Sequence, residues 1–383
     1  MAIELSALTF TEQDDVVLAS EEEIINTGIA NTLAGNDIII GTKEITTDPP
    51  FPGIYFNGGI FNSNTLNTGD GNDIIIGTIS GIVTSDFSNP FDPYRYYGIH
   101  DLGGIYTGEG SDIIMGINEG DFDFGSPGDP FEPGDFGSAG GIYTGGSNID
   151  TGDGNDIITG ISIRGGFGIK NSITINTSDG NDIITGTGGN VNTFTDSISV
   201  GIMNNASIYT DNGDDIITGT GITYGIRNNG IMDTGNGDAI ITATGTTYGI
   251  YNGGEINTGN SDDIITSTGV IYNNGGVINT GNGDDSIIAN EGFKSGLNGS
   301  GNVYLGEGED YIKGFGSGKF YGGNNEDTLE LTSGSYTVGI SGAAVNFTKD
   351  STLMETFEFE KLIAGGTTYD FTSLTAGQII VVA

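Results

Sequence analysis

The sequence predicts an all-β protein: a parallel β-solenoid, read as a right-handed β-helix or β-roll-like coil with three short strands per turn and a β-rich C-terminal cap. Three observations predict it. The first is composition. Glycine supplies 70 of 383 residues, tryptophan and cysteine are absent, and isoleucine dominates the apolar set. Turn residues mixed with β-branched residues favour many short strands joined by tight corners. The second is a recurring acidic turn, TGDGNDII at 68–75 and 151–158, TSDGNDII at 177–184 and TGNGDDSI at 280–287. The third is spacing. From Asp215 to Ala239 is 24 residues, from there to Asp263 is 24, and from there to Asp285 is 22. Periods in this range mark a solenoid.

One coil can be read in pieces. Residues 234–257 hold three strand-like segments, AIITAT, TYGIYN and EIN, separated by glycine and asparagine corners. Alternation along DDIITGT places Ile217 and Gly219 on one face and Ile216, Thr218 and Thr220 on the other. Ala243 and Ser267 match Gly219 in the next two coils, so a small residue recurs where a narrow interior needs one. Six residues before the turn threonines stand Asn171, Asn204, Asn228, Asn252 and Asn274, a column able to form an amide ladder along the axis.

These features divide the chain. Residues 1–21 read as an N-terminal cap or leader, and 22–300 as the solenoid. Loop insertions are expected near 85–101 and 119–139, where Pro90, Pro93, Pro127, Pro130 and Pro133 lie. Residues 301–331 read as β-roll-type coils. Residues 332–383 leave the repeat and read as a cap closing the end of the core.

Charge narrows the function. Ten Lys and Arg stand against 51 Asp and Glu, a formal charge of −41. Nucleic acid needs basic patches, and anionic membrane surfaces repel such a chain. Cations are favoured. The first twenty residues carry Glu4, Glu12, Asp14 and Asp15 and no basic segment, so they do not read as a secretory leader. No apolar run is long enough to span a bilayer, and membrane insertion is not expected.

The acidic turns align one column: Asp37, Asp73, Asp112, Asp156, Asp182, Asp215, Asp263, Asp285, Asp310 and Asp327, with Ala239 in the same column. Gly69-Asp70-Gly71-Asn72-Asp73-Ile74-Ile75 resembles the nonapeptide repeat of the repeats-in-toxin (haemolysin-type) calcium-binding family, as an atypical long-coil variant. YLGEGEDYIKGF and YGGNNEDTLELT also resemble it, with Asp310 and Asp327 17 residues apart. The tail METFEFEKLIAGGTTYDFTSL resembles the region that follows such repeats in proteins exported by type I secretion. The resemblance implies Ca²⁺ as cofactor and type I export without an N-terminal signal peptide. It also implies a bacterial protein, secreted or held at the cell surface. The family runs its nonapeptides in tandem, whereas most coils here carry one.

Physical chemistry leads to the same ion. Glycines permit positive φ and let carbonyls near Gly69, Gly71, Gly152, Gly154, Gly281 and Gly283 converge on one point. The aspartate carboxylate reaches the same place, and the isoleucine two residues on fills the core. Coils lie about 4.8 Å apart, and Ca–O bonds are about 2.4 Å. Two bare carboxylates at that spacing repel by roughly 3 kcal/mol at an effective dielectric near 20. Calcium turns that repulsion into ligation. Asp70, Asp153, Asp179, Asp214, Asp238, Asp262 and Asp284 flank the column as outer ligands or solvated charges. Read as ordinary β-turns, the same segments would only keep the surface soluble.

Other motifs are weaker. No helices flank the turns, so they are not EF-hands. GFGSGKF at 314–320 lacks the Ser or Thr a phosphate loop places after its lysine. His100 sits near Tyr94, Arg95, Tyr96 and Tyr97, a grouping a polysaccharide-acting β-helix enzyme could use as a base. Thr185/Thr187, Thr218/Thr220, Thr242/Thr244 and Thr266/Thr268 form outward T-x-T ranks that resemble those of ice-binding proteins. The leading expectation is a non-enzymatic calcium-binding solenoid with a structural, adhesive or matrix role. Its expected partners are calcium ions and a cell-surface or matrix polysaccharide or protein.

Overall fold

The computed structural model describes residues 2–45, 56–83, 95–122, 138–189, 198–296 and 301–383. Three sheets run along one axis. Among the described residues, one has eleven strands and the other two have fifteen each. A single coil shows the plan. Tyr224–Asn228 lies in the first sheet, Ile231–Asp233 in the second and Ile240–Thr244 in the third. Each strand pairs in parallel with its equivalent one coil on, Ile226 with Ile250, Met232 with Ile256, Ile241 with Ile265. We call these the aromatic, short and threonine sheets after what they expose. The fold is a parallel β-solenoid with a triangular coil.

The core is a set of isoleucine columns. Ile184, Ile217, Ile241, Ile265 and Ile287 follow one another in the threonine sheet, and all are fully buried. Gly219, Ala243 and Ser267 are buried beside them. A methyl group on Gly219 would press into the Gly225 carbonyl and the Ile226 side chain across the coil, so the interior is as narrow as the small residues imply. One continuous apolar cluster runs from Leu5 to Val382.

The corner after the aromatic sheet carries a buried amide ladder. Asn171 Nδ2 donates to Asn204 Oδ1 at 2.8 Å, Asn204 to Asn228 at 2.8 Å, and Asn228 to Asn252 at 3.0 Å. The next rung is Asn273, not Asn274, with Asn252 Nδ2 donating to it at 3.1 Å. The register shifts between Tyr248 and Ile250 in this pairing, so counting residues runs one too far. Asn274 instead donates to the Tyr251 hydroxyl at 2.6 Å.

Boundaries also differ from expectation. Ile3–Glu4 and Val16–Ala19 already pair with the following coil, so strands begin before residue 22. Arg95–Asp101 is a strand of the aromatic sheet rather than loop, pairing with Phe56–Asn62 and Ser138–Thr144. Tyr96, Tyr97 and Ile99 are β-formers that outweigh the neighbouring prolines. Residues 85–94 of the first proposed insertion, Tyr94 among them, and 123–137 of the second lie outside the described residues. At the far end, Thr352–Phe357 joins the short sheet in parallel. Ala344–Lys349, Gly334–Ser341 and Ile379–Val382 then extend that sheet antiparallel. Tyr336, Phe347, Met354 and Leu362 are fully buried there and join the cluster that fills the coils.

Candidate metal-binding corner

The acidic turns form the corner between the short and threonine sheets. Its shape follows from glycine. Gly69, at φ 84°, could not carry a side chain, because a Cβ would fall onto the Leu33 carbonyl oxygen of the preceding coil. Its equivalents stack the same way, Gly108 over the Gly69 carbonyl and Gly152 over Gly108, and so do the second glycines of the turns, Gly110 over Gly71, Gly180 over Gly154 and Gly308 over Gly283. Backbone carbonyls therefore point along the axis from one turn to the next. Between them, Gly110 N–H donates to Asp153 O at 2.9 Å and Gly213 N–H to Asn236 O at 2.7 Å.

All ten aspartates of the predicted column lie here, and each is at most 1% exposed. They form a ladder. The backbone N–H of Asp73 donates to Asp112 Oδ1 at 2.7 Å, Asp112 to Asp156 at 2.8 Å, Asp156 to Asp182 at 2.8 Å, and Asp182 to Asp215 at 2.8 Å. After the break at Ala239, which still donates to Asp263 Oδ1 at 2.8 Å, the ladder resumes through Asp285, Asp310 and Asp327. One oxygen of each carboxylate is thus engaged.

The other oxygen is not. Oδ2 of nine of the ten, all but Asp215, is buried without a hydrogen-bond partner. A threonine stands five residues before eight of the ten aspartates, whereas Leu305 and Gly322 hold that place before Asp310 and Asp327. Thr210 donates to Asp215 Oδ2 at 2.5 Å. The hydroxyls of Thr32, Thr107, Thr258 and Thr280 donate instead to a carbonyl of the next coil. Burial pushes Asp156, Asp215, Asp263, Asp285, Asp310 and Asp327 up to about 7, and Asp73 and Asp182 to about 6. Nearby carboxylates add to the rise, while the neighbouring threonine hydroxyls and the ladder N–H groups restrain it. Asp37 and Asp112 are raised too, again chiefly by burial.

The flanking acids form an exposed outer row. Asp238 N–H donates to Asp214 Oδ1 at 3.0 Å, Asp262 to Asp238 at 3.2 Å, Asp284 to Asp262 at 2.8 Å, and Glu309 to Asp284 at 2.7 Å. Asp70, Asp153 and Asp179 occupy another position, continued by Asn212, Asn236, Asn260 and Asn282 as an amide ladder. Among the described residues, no group of three or more His, Asp or Glu side chains could hold a metal by itself. Any ion here must draw on backbone oxygen as well as carboxylate.

Sequence reasoning missed two members. Glu360, in the cap, accepts from Asp327 N–H at 2.9 Å and extends the acidic ladder past the repeat. Nothing in the sequence around it signals that role. Asp101 sits in the amide ladder at the other corner. Its Oδ1 accepts from Asn62 Nδ2 at 2.8 Å and from the Gly103 and Gly104 N–H groups, and burial pushes it up to about 6. Counting six back from Thr32, Thr68 and Thr107 finds Asn26, Asn62 and Asp101, so the signal was present.

His100 is fully buried. Its ring meets Phe61, Tyr97 and Tyr143 edge-on, with centroids 5.1–5.5 Å apart.

No protein-family model and no curated protein matches the chain. One similar solved structure is described as a hyperactive, Ca²⁺-dependent, β-helical antifreeze protein from an Antarctic bacterium. It is 16% identical, with a TM-score of 0.48, over 98% of this chain and 95% of that one. Calcium dependence and antifreeze activity are properties of that protein.

Proposed function

We propose that this chain is a non-enzymatic, calcium-binding β-solenoid, secreted or held at a bacterial cell surface, where it serves a structural, adhesive or matrix role. One observation carries the reading: ten carboxylates are stacked in a buried column, and Oδ2 of nine lacks a well-formed hydrogen bond even where a threonine hydroxyl stands beside it. A buried carboxylate left with an unpaired oxygen requires a proton or a cation. Calcium takes six to eight oxygen ligands, including backbone carbonyls, in flexible geometry. The residues present fit that demand. The column from Asp37 to Asp327 would supply carboxylates, and glycine carbonyls near Gly69, Gly71, Gly152, Gly154, Gly281 and Gly283 would supply the rest. The bound ion would contribute positive charge where the carboxylates otherwise need protons. Ala239 removes a carboxylate and weakens its own site.

The resemblance to haemolysin-type repeats supports the same reading and motivates the export route. His100 is fully buried with its ring edge-on to Phe61, Tyr97 and Tyr143, so it packs as a core side chain, which fits a non-catalytic role. Calorimetric titration with calcium, paired with thermal melts in calcium and in chelator, tests the proposal. Heat of binding at several sites per chain and a higher melting temperature are expected. No heat and identical melts would sink it.

A second reading has its own observation. Thr185, Thr218, Thr242 and Thr266 are register partners, as are Thr187, Thr220 and Thr244. Ile216, Ile240 and Ile264 lie beside them at 37–40% exposure. Thr268 follows the end of its strand but stays tied by N–H to Ala243 O at 3.0 Å. This uncharged rank suits ice. Thermal hysteresis measured on the purified protein, lost in Thr218→Tyr, is the expected result. Its absence in the parent protein excludes the reading.

A further inference from the structure

The aromatic sheet exposes what the rest of this acidic surface lacks. Tyr224, Arg227, Tyr248, Tyr251, Tyr272 and Lys294 come from four consecutive strands that contain no acidic residue. Arg227, Tyr251, Tyr272 and Lys294 follow one another in register. Tyr224 and Tyr248 stack beside them, centroids 5.6 Å apart. Arg227 lies 5.7 Å from the Tyr224 and Tyr251 rings, and Lys294 lies 4.8 Å from the Tyr272 ring. Elsewhere Lys43, Lys313 and Lys361 pair with glutamates. Among the described residues, neither Arg227 nor Lys294 does so, and Arg227 Nε is buried without an acceptor. In a chain with 51 acids, two cations held only by rings remain able to bind an outside anion.

We propose that this face binds a linear polysaccharide carrying carboxylate groups, its sugar rings lying on the tyrosines and its carboxylates meeting Arg227 and Lys294. A groove of about 720 Å³ runs beside the stripe, lined by Thr220, Thr244, Thr246 and Val270, with Glu291 its one acidic lining residue. Val270 is the register partner of Tyr248, so groove and stripe are continuous. Tyrosine offers a flat apolar face with a polar edge, which suits an amphipathic ring. The four coils span about 14 Å, enough for a short oligosaccharide. Charge is consistent with this despite the net −41. The acidic corner joins the other two sheets, so the aromatic sheet forms the opposite wall. Charges separated by a solenoid's width, beyond a screening length of about 8 Å in physiological salt, hardly act on this face. Aromatic rings with cations could also stack nucleobases, but two cations across four coils form no basic groove to track a phosphate backbone, whereas a pyranose ring presents an apolar C–H face that matches the tyrosines.

This inference extends the adhesive reading but uses a different face from the calcium corner. Calcium titration of the protein alone therefore succeeds or fails separately. The test is calorimetric titration of the calcium-treated full chain with oligogalacturonate, a cello-oligosaccharide and oligo-dT. Oligogalacturonate should bind at least tenfold more tightly than the other two. Arg227→Gln with Lys294→Gln should weaken it at least tenfold, with an unchanged circular dichroism spectrum. Tyr272→Ala, a milder change at the same face, should weaken it as well. Failure of oligogalacturonate to bind, or equal binding of the neutral sugar or oligo-dT, would overturn the proposal. So would binding that survives the double variant yet is lost in Asp238→Asn with Asp262→Asn, because that assigns the ligand to the acidic corner.

Discussion

Removing calcium and raising the pH should melt this protein. The cause is the buried column. Asp156, Asp215, Asp263, Asp285, Asp310 and Asp327 are raised to about 7 from an ordinary 3.8, with burial the largest cause. Between those values the folded chain holds protons that the unfolded chain has released. This contribution to stability is complete below about pH 4 and is lost as pH rises through about 7. A shift of about three units corresponds to ~4 kcal/mol for an isolated group. The six are coupled along one ladder, so even a quarter of that value, ~1 kcal/mol each, totals ~6 kcal/mol. That approaches the 5–15 kcal/mol typical of a whole domain.

The assay is thermal melting followed by circular dichroism, at constant ionic strength, from about pH 5 to about pH 8. In chelator, the midpoint should fall by roughly ten degrees across that range. In excess calcium the trend should reverse, because the ion competes with protons for the same carboxylates. Asp156→Asn separates the column from the general self-repulsion of an acidic chain. Its amide oxygen can still accept from Asp112 N–H, which donates to Asp156 Oδ1 at 2.8 Å in the parent. The variant should melt higher than the parent in chelator near pH 8 and gain less from calcium. A chelated parent whose midpoint is flat or rises with pH would refute the reasoning.

Three further outcomes follow from the same geometry. Ala239→Asp places a carboxylate opposite Asp215 and Asp263 in a fully buried position, so it should raise the calcium stoichiometry by one while lowering chelated stability near pH 8, as read by calorimetry and melts. Gly69→Ala should cost at least ~2 kcal/mol in chemical denaturation, since φ is 84° and the new methyl would meet the Leu33 carbonyl. Asn228→Ala removes the donor to Asn252 Oδ1 and to Glu255 O at 2.8 Å, so it should cost ~2–3 kcal/mol by the same measurement, where a conventional surface asparagine would cost almost nothing.

Much of this molecule could be read from its sequence because the fold is nearly one-dimensional. Each coil meets only its two neighbours, so a fixed period converts spacing directly into contact. That is why Asp182, Asp215, Asp263 and Asp285 could be placed in one column, and why Ile217 and Gly219 could be turned inward. The method fails where the period does. A one-residue register shift between Tyr248 and Ile250 moves the amide ladder from Asn274 to Asn273. Prolines drew attention away from Arg95–Asp101, which forms a regular strand. Glu360 reaches the acidic ladder from the cap, through tertiary packing that no count along the chain encodes.

The carboxylates also illustrate what spacing alone leaves open. Sequence places them side by side but is silent on which way they point. An outward column would be a row of solvated charges, free to repel through water and worth little to stability. The structure turns them inward, has one oxygen of each accept from a backbone N–H of the preceding coil, and leaves the second oxygen of nine buried without a well-formed hydrogen bond. Inward placement makes protonation or cation binding a condition of folding rather than a surface property. The exposed row of Asp214, Asp238, Asp262 and Asp284 provides the internal comparison, since it has the same spacing along the axis but no burial. Neutralising that outer row should change the salt dependence of stability and leave its pH midpoint alone, whereas neutralising the inner column should move the midpoint itself.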